Sequence, residues 1–298
     1  MRLANLDGRI CVAAAGGYLD VAAASGGRFG PDPHAALDEW TAFCRWSAAL
    51  DTEDPGDGTL APVRAEEQTH WGPPVPRPRQ VFAIGFNYRD HASESGLQLP
   101  AAPAVFTKFP TCLAGPRDAV RLPAGSVDWE VELVVIIGQR CERVGEDAAW
   151  SRMAGVTVGQ DLSERRLQLA GPAPQFSLGK SYPGFGPTGP ELVTVDELAD
   201  PDDLELGCAL AGREVLQKGR TSDLVFAVPE LVARLSAVCP LLPGDLIFTG
   251  TPAGVGVART PPKFLAPGDV LVSWVEGVGE LRNPMLASSG GPDAAASR

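Results

Sequence analysis

The stretch Asp128-Trp129-Glu130-Val131-Glu132-Leu133-Val134-Val135-Ile136-Ile137 restricts the fold of this 298-residue chain more than any other. In a strand, side chains alternate between faces. Asp128, Glu130 and Glu132 then share one face, while Trp129, Val131, Leu133, Val135 and Ile137 share the other. The apolar face demands burial, and neighbouring carboxylates on the acidic face stand ~7 Å apart, from a rise of ~3.3 Å per residue. Like charges lined up on a half-buried strand repel one another unless something positive sits among them. A hard divalent cation with oxygen ligands meets that need; an exposed strand face with solvated acids is the alternative.

The rest of the chain reads as more sheet. Short apolar segments at 80–84, 130–137, 192–195, 204–210, 245–248 and 270–275 are separated by turns drawn from 34 glycines and 28 prolines. That spacing predicts a curled or rolled sheet rather than βαβ repeats, hence a β-rich α+β protein. Helices are expected at 34–49, where Leu37, Trp40, Phe43 and Trp46 recur, at 89–95, just after Asp161, and at 228–236 with Pro229 in the first turn. The polar stretches DTEDPGDGTL and WGPPVPRPRQ predict a hinge. A small N-terminal α/β domain over 1–75 would then precede a main body over 76–286 and a flexible tail over 287–298.

Charge and composition close off several function classes. With 25 Lys+Arg against 37 Asp+Glu the net charge is −12, which offers no basic field for nucleic-acid phosphates. The longest strongly apolar run, Leu133 to Ile137, is far short of the ~20 residues that span a bilayer, so no membrane partner is expected. The cysteines (11, 44, 112, 141, 208 and 239) are scattered, and His34, His70 and His91 complete a set too sparse for a Cys/His metal site. Asp7 and Arg9 interrupt the N-terminal apolar stretch, so the cysteines are expected to be reduced thiols of a cytoplasmic protein.

Three further segments carry chemistry. If a helix begins near Asp161, then Asp161, Arg165 and Gln168 fall on one side; an N-cap followed by an i,i+4 ion pair explains the same residues. In Gly85-Phe86-Asn87-Tyr88-Arg89-Asp90-His91-Ala92-Ser93-Glu94, one helical turn lets Glu94 reach His91, which suits a base acting on water as well as a plain surface histidine. Leu178-Gly179-Lys180-Ser181 only imitates the end of a P-loop, because Pro174 stands where a glycine is required. Thr249-Gly250-Thr251-Pro252-Ala253-Gly254-Val255-Gly256 lacks dinucleotide-site spacing; it fits either a turn or a close backbone approach to a ligand, with Thr251 as hydroxyl donor.

Taken in order, GFNYRDHASESG, PAVFTKFPT, DWEVELVVIIG, TVGQDLSERRLQ, GKSYPGFGPTGP, VLQKGRTSDLVF and PGDLIFTGTPAGVG resemble the fumarylacetoacetate hydrolase family over about residues 78 to 284. The resemblance implies a β-roll catalytic domain and a homodimer. It implies that Glu130, Glu132 and Asp161 hold Mg²⁺ or Mn²⁺, with Ca²⁺ a further option. It makes His91 and Glu94 a water-activating dyad on a lid, and sets Lys180 facing a developing oxyanion. Arg165, Gln168, Tyr88 and Thr251 become substrate contacts. One departure stands out: the family's Asp-x-Ser-Ala-Arg-Asp-x-Gln becomes a segment with Glu164 and Arg166, and Glu164 is expected to compete for Arg165.

The reaction these residues imply is metal-assisted hydrolysis of a C–C bond in a small anionic 1,3-dicarbonyl acid of the acylpyruvate type. The alternative is a decarboxylase or keto–enol isomerase of an oxaloacetate-type 2-oxo diacid, which shares the enolate but needs no attacking water. A non-catalytic protein stapled by the ion is the third reading.

Overall fold

The computed structural model describes residues 1–50, 52, 69–90 and 99–288. At its centre lies the strand Val131–Ile137, dense in β-branched residues and buried along its whole length. It pairs antiparallel with Met153–Gln160 on one edge and with Leu246–Phe248 on the other. The sheet continues in the order Gly17–Asp20, Arg9–Ala14, Arg2–Leu6, Gly186–Val193, Met153–Gln160, Val131–Ile137, Leu246–Phe248, Val81–Gly85, Ala104–Thr107. A second sheet runs Val215–Arg220, Glu205–Leu210, Val270–Val275, Gly279–Leu286, Val120–Arg121. Extensive sheet with few, short helices makes this the β-rich α+β fold expected.

Both faces of the central strand are covered. Trp129, Val131, Leu133, Val135 and Ile137 pack into the larger core with Leu206, Leu271 and Leu281 of the second sheet. Val134 and Ile136 point the other way, into a cluster with Leu37, Trp40, Phe43 and Phe248. Glu132 therefore shares its side with buried apolar residues, and the solvated-face alternative fails. The strands of the N-terminal segment extend the same sheet, with Leu3 opposite Leu192 and Ala4 opposite Glu191. The first hinge stretch lies outside the described residues apart from Thr52; in the second, Trp71–Gly72 pairs with Asn5 and Leu6.

Several elements differ from expectation. The helix expected at 34–49 is two helices, Pro33–Asp38 and Trp40–Ser47, broken at Glu39. Residues spaced by three drift about 60° backward per step on a 3.6-residue helix. A straight helix would thus spread Leu37, Trp40, Phe43 and Trp46 around half its circumference. The break redirects Leu37 relative to the other three, and all four reach one core, where Phe43 stacks on Trp40 at 5.7 Å and meets Phe29 edge-on at 5.2 Å. The segment expected as a strand at 192–195 is instead the end of Gly186–Val193, followed by a 3₁₀ turn at Val195–Glu197. The helix expected at 228–236 is found as Val228–Val238 with Pro229 in its first turn. Most of the helix expected at 89–95, and the tail beyond Ser288, lie outside the described residues.

Candidate active site

The acidic cluster forms where two paired strands end. Val131 stands opposite Gln160, so Glu130 and Asp161, each just beyond that pair, become neighbours, and the Asp161 N–H donates to the Glu130 carbonyl at 2.9 Å. Glu132 enters from one residue further along. One carboxylate oxygen from each of Glu130, Glu132 and Asp161 lies within 4.8 Å of the others, and all three residues are buried. No helix starts at Asp161; the short helix Arg165–Gln168 begins four residues later. The expected i,i+4 pairing of Asp161 with Arg165 gives way to other partners.

Side-chain amides and a hydroxyl hold the backbone beneath these acids. The Glu130 N–H donates to Gln160 Oε1 at 2.9 Å, and the Gln160 amide donates to Ser273 Oγ at 2.9 Å. The Val131 N–H donates to Gln217 Oε1 at 3.0 Å, while Thr251 Oγ donates to the Val131 carbonyl at 2.8 Å and accepts from Gln217 Nε2 at 2.8 Å. The second sheet thereby clamps the peptide between the two glutamates. Thr251 does line the cavity, but its hydroxyl proton is committed to this clamp.

Three buried cations surround the acids. Lys180 Nζ lies 2.7 Å from Glu130 and 2.6 Å from Asp161. Lys108 Nζ lies 2.7 Å from the other Asp161 oxygen and donates to the carbonyls of Lys180 and Phe185. Arg165 pairs with Glu130 at 2.7 Å and with Asp128 at 2.8 Å, and donates to Gln168 Oε1 at 2.8 Å. Asp128 is itself saturated, accepting the backbone N–H of Trp129, Gly256 and Val257 at 2.7–2.9 Å. Burial works to lower the pKa of Lys180, but Asp161 and Glu130 outweigh it and raise the value, so the ammonium keeps its proton. Arg165 follows the same pattern, with Glu130 and Asp128 outweighing burial.

Glu132 stands apart. Among the described residues it forms no ion pair and accepts only the Gly250 N–H, at 2.7 Å. Burial, then the charges of Asp161 and Glu130, push its pKa well above the usual carboxylate range. Gly250 can come this close because its φ is +104° and a Cβ would lie 2.8 Å from Asn87 Cβ. The buried carboxylates Asp128, Glu130, Glu132 and Asp161 outnumber Lys108, Arg165 and Lys180 by one. An all-oxygen, acceptor-only set with unbalanced negative charge fits a divalent cation.

The cluster opens on a cavity of about 300 Å³ lined by Glu130, Arg165, Gln168, Lys180 and Thr251, with apolar residues opposite. Lys180, Arg165, Gln168 and the three acids thus lie together in the structure. Tyr88 does not join them. It is buried in the main core, away from the cavity lining, its hydroxyl has no hydrogen-bond partner among the described residues, and burial and Glu132 raise its pKa. His91 and Glu94 lie outside the described residues. Glu164 corrects an expectation: rather than competing for Arg165, its carboxylate caps the short helix, accepting from the N–H groups of Ser126, Arg166 and Leu167. Arg166 is exposed.

Sequence reasoning passed over Lys108 and the partnership of Asp128 with Arg165. A lone lysine inside the apolar PAVFTKFPT was a usable signal, since a lysine drawn into a core must find acceptors. Gln160 and Gln217 carried no such signal, because their partners come from distant strands.

Among the described residues no helix is long and apolar enough to cross a membrane. The family model for the fumarylacetoacetate hydrolase C-terminal region matches residues 80–286. The mitochondrial oxaloacetate tautomerase FAHD2A of Bos taurus is 41% identical over 230 residues, spanning 76% of this chain and 73% of its own length. The human mitochondrial FAHD2A is 41% identical over 227 residues, spanning 76% and 72%. A crystal structure of a Mycobacterium smegmatis protein, provisionally assigned as HpcE, superposes with a TM-score of 0.90 at 55% identity, covering 97% of this chain and 100% of that one. Maleylpyruvate hydrolase from Sphingobium sp. SYK-6, in complex with manganese(II) and pyruvate, superposes with a TM-score of 0.77 at 30% identity over 97% of this chain and 100% of that one. The mitochondrial relatives overturn the cytoplasmic expectation. The six cysteines are unpaired, and scattered thiols do not say which compartment holds the protein.

Proposed function

The chain belongs to the fumarylacetoacetate hydrolase family of enzymes, and from that premise we propose that it catalyses keto–enol tautomerisation of a small 2-oxo acid of the oxaloacetate type. The sequence resemblance puts C–C hydrolysis first and this reaction second; the relatives named for oxaloacetate tautomerisation reverse that order. The observation that carries the reading is the meeting of the Glu130–Glu132–Asp161 cluster, which reaches the cavity through Glu130, with two cavity-lining cations that keep their protons, Lys180 and Arg165. Tautomerisation asks a site to hold the 2-oxo acid, stabilise negative charge on the enol oxygen and move one proton.

Glu130, Glu132 and Asp161 would hold Mg²⁺ or Mn²⁺, which when bound supplies positive charge beside the 2-oxo group and makes the neighbouring C–H more acidic. Arg165, with Gln168 beside it, orients the substrate carboxylate. The Lys180 ammonium faces the developing enolate oxygen in a buried setting where a fixed charge is worth far more than in water. Thr251 and Gln217 keep the two glutamates in register from beneath. His91, oriented by Glu94, is assigned the proton transfer at the carbon next to the 2-oxo group.

The test is the decay of enol-oxaloacetate absorbance with the Mn²⁺- or Mg²⁺-loaded enzyme, before and after EDTA. Acceleration that EDTA removes supports the proposal; decay at the buffer rate with every ion refutes it. The likeness to maleylpyruvate hydrolase bound to manganese and pyruvate favours C–C hydrolysis as a second reading. Release of pyruvate from an acylpyruvate, without tautomerisation, would make that reading the correct one.

A further inference from the structure

Opposite the charged wall, the cavity is aromatic. Phe106 and Phe176 meet edge-on with ring centroids 5.5 Å apart, and Phe86 adds a third ring 6.4 Å from Phe176. Leu169 and Val257 extend the same wall. Phe106 marks the border, since Lys180 Nζ lies 5.2 Å from its ring centroid on the side of the acids. Phe86 has φ +55°, a left-handed backbone that a bulky L residue adopts only when its surroundings hold it there. That constraint is spent on presenting a ring to the cavity.

The charges gather around the acids, Lys180 reaching across to the Phe106 ring. Arg165 and Lys180 are the only basic residues among the described residues lining the cavity, and both are paired with Glu130, Lys180 also with Asp161, at 2.6–2.7 Å. Past Phe106, where Lys180 sits, the Phe86 and Phe176 rings add apolar surface rather than charge. An aromatic group would meet three ring edges and faces, in the offset geometry aromatic pairs prefer.

We infer that the enzyme has a second activity, the keto–enol tautomerisation of 2-oxo acids that carry an aryl group next to the reacting carbon. This rests on the tautomerase reading, because the 2-oxo acid end uses the same cluster. The step is an isomerisation: a C–H bond next to the 2-oxo group breaks, an O–H bond forms on the enol oxygen, and no co-reactant is consumed.

The probe is phenylpyruvate, followed by enol absorbance with the Mn²⁺-loaded enzyme, with oxaloacetate run in parallel. The expected result is turnover of both. In Phe176→Leu, which keeps apolar bulk without the ring, KM for phenylpyruvate rises by about tenfold, in line with the discrimination a hydrophobic pocket achieves, while KM for oxaloacetate changes far less. Phe86→Leu gives a second reading of the same ratio, and circular dichroism melting checks that each variant is folded. Turnover of oxaloacetate with phenylpyruvate left at the buffer rate overturns this inference alone. Inactivity on both overturns the tautomerase reading and this inference with it. Equal changes in KM for both substrates in the two folded variants also overturn it.

Discussion

Asp128→Asn tests how the charged wall is built. Each Asp128 oxygen faces two donors: Oδ1 accepts from Trp129 N at 2.8 Å and Gly256 N at 2.7 Å, and Oδ2 accepts from Val257 N and Arg165 Nε, both at 2.9 Å. An asparagine can present its carbonyl to only one of these pairs. Its NH₂ must face the other, so donor meets donor whichever way the amide turns. The substitution also leaves the buried guanidinium of Arg165 with Glu130 as its one anionic partner. Breaking one side of a buried ion pair costs about 3–5 kcal/mol. At roughly 2–3 °C per kcal/mol for a chain of this size, the melting temperature falls by about 6–15 °C. Arg165 also loses the anchor that aims it at the cavity, so KM for a 2-oxo acid rises along with the loss of stability. Urea unfolding of Asp128→Asn, Arg165→Met and the double variant measures the coupling directly. A coupling above about 1.5 kcal/mol is expected, because the two side chains share hydrogen bonds. A single variant that melts within about 2 °C of the parent, or two substitutions additive within about 0.5 kcal/mol, refutes the argument.

Other outcomes follow from the same geometry. Glu132→Gln raises the melting temperature of the metal-free protein, because it removes a buried charge without an ion-pair partner while keeping an acceptor for Gly250 N. The sign with pH is set by linkage. A carboxyl whose pKa is raised by folding leaves the unfolded state with fewer protons, so stability falls as pH climbs above about 4.3 and the advantage of the variant is larger at pH 8 than at pH 5 in EDTA; a variant less stable than the parent at pH 8 contradicts this. Mn²⁺ at a hundred times its Kd should stabilise the parent by about 2.7 kcal/mol in calorimetric melting and leave Glu132→Gln nearly unmoved, and a parent indifferent to the ion would dismiss the metal cluster. Glu164→Ala removes a helix cap and costs about 1–2 kcal/mol in urea unfolding with KM unchanged; a shifted KM would return Glu164 to the substrate's electrostatics.

The sequence alone was enough to read the buried apolar strand, whereas Asp161 joined its acids only through the family resemblance. Alternation over Trp129 to Ile137 is a local property of an extended backbone, and a repulsive acidic triplet demands positive charge wherever it is placed. It could not say how that charge is divided. Lys108 and Asp161 are far apart in the chain, as are Asp128 and Arg165; Lys108 arrives at the end of Ala104–Thr107 on the far side of the sheet, and the pairing of Ser163 with Asp128 sets Arg165 beside that acid. Packing likewise gives the Thr251 hydroxyl a backbone partner at the cavity's edge and buries Tyr88 in the core. Glu164, read along a helix expected to begin at Asp161, threatened Arg165; with the helix starting four residues later, its carboxylate turns back to free N–H groups instead. Local periodicity dictates which way a side chain points, but the partners of a buried charge come from segments distant in the chain, and so tertiary packing decided which acid was left without an ion-pair partner among the described residues.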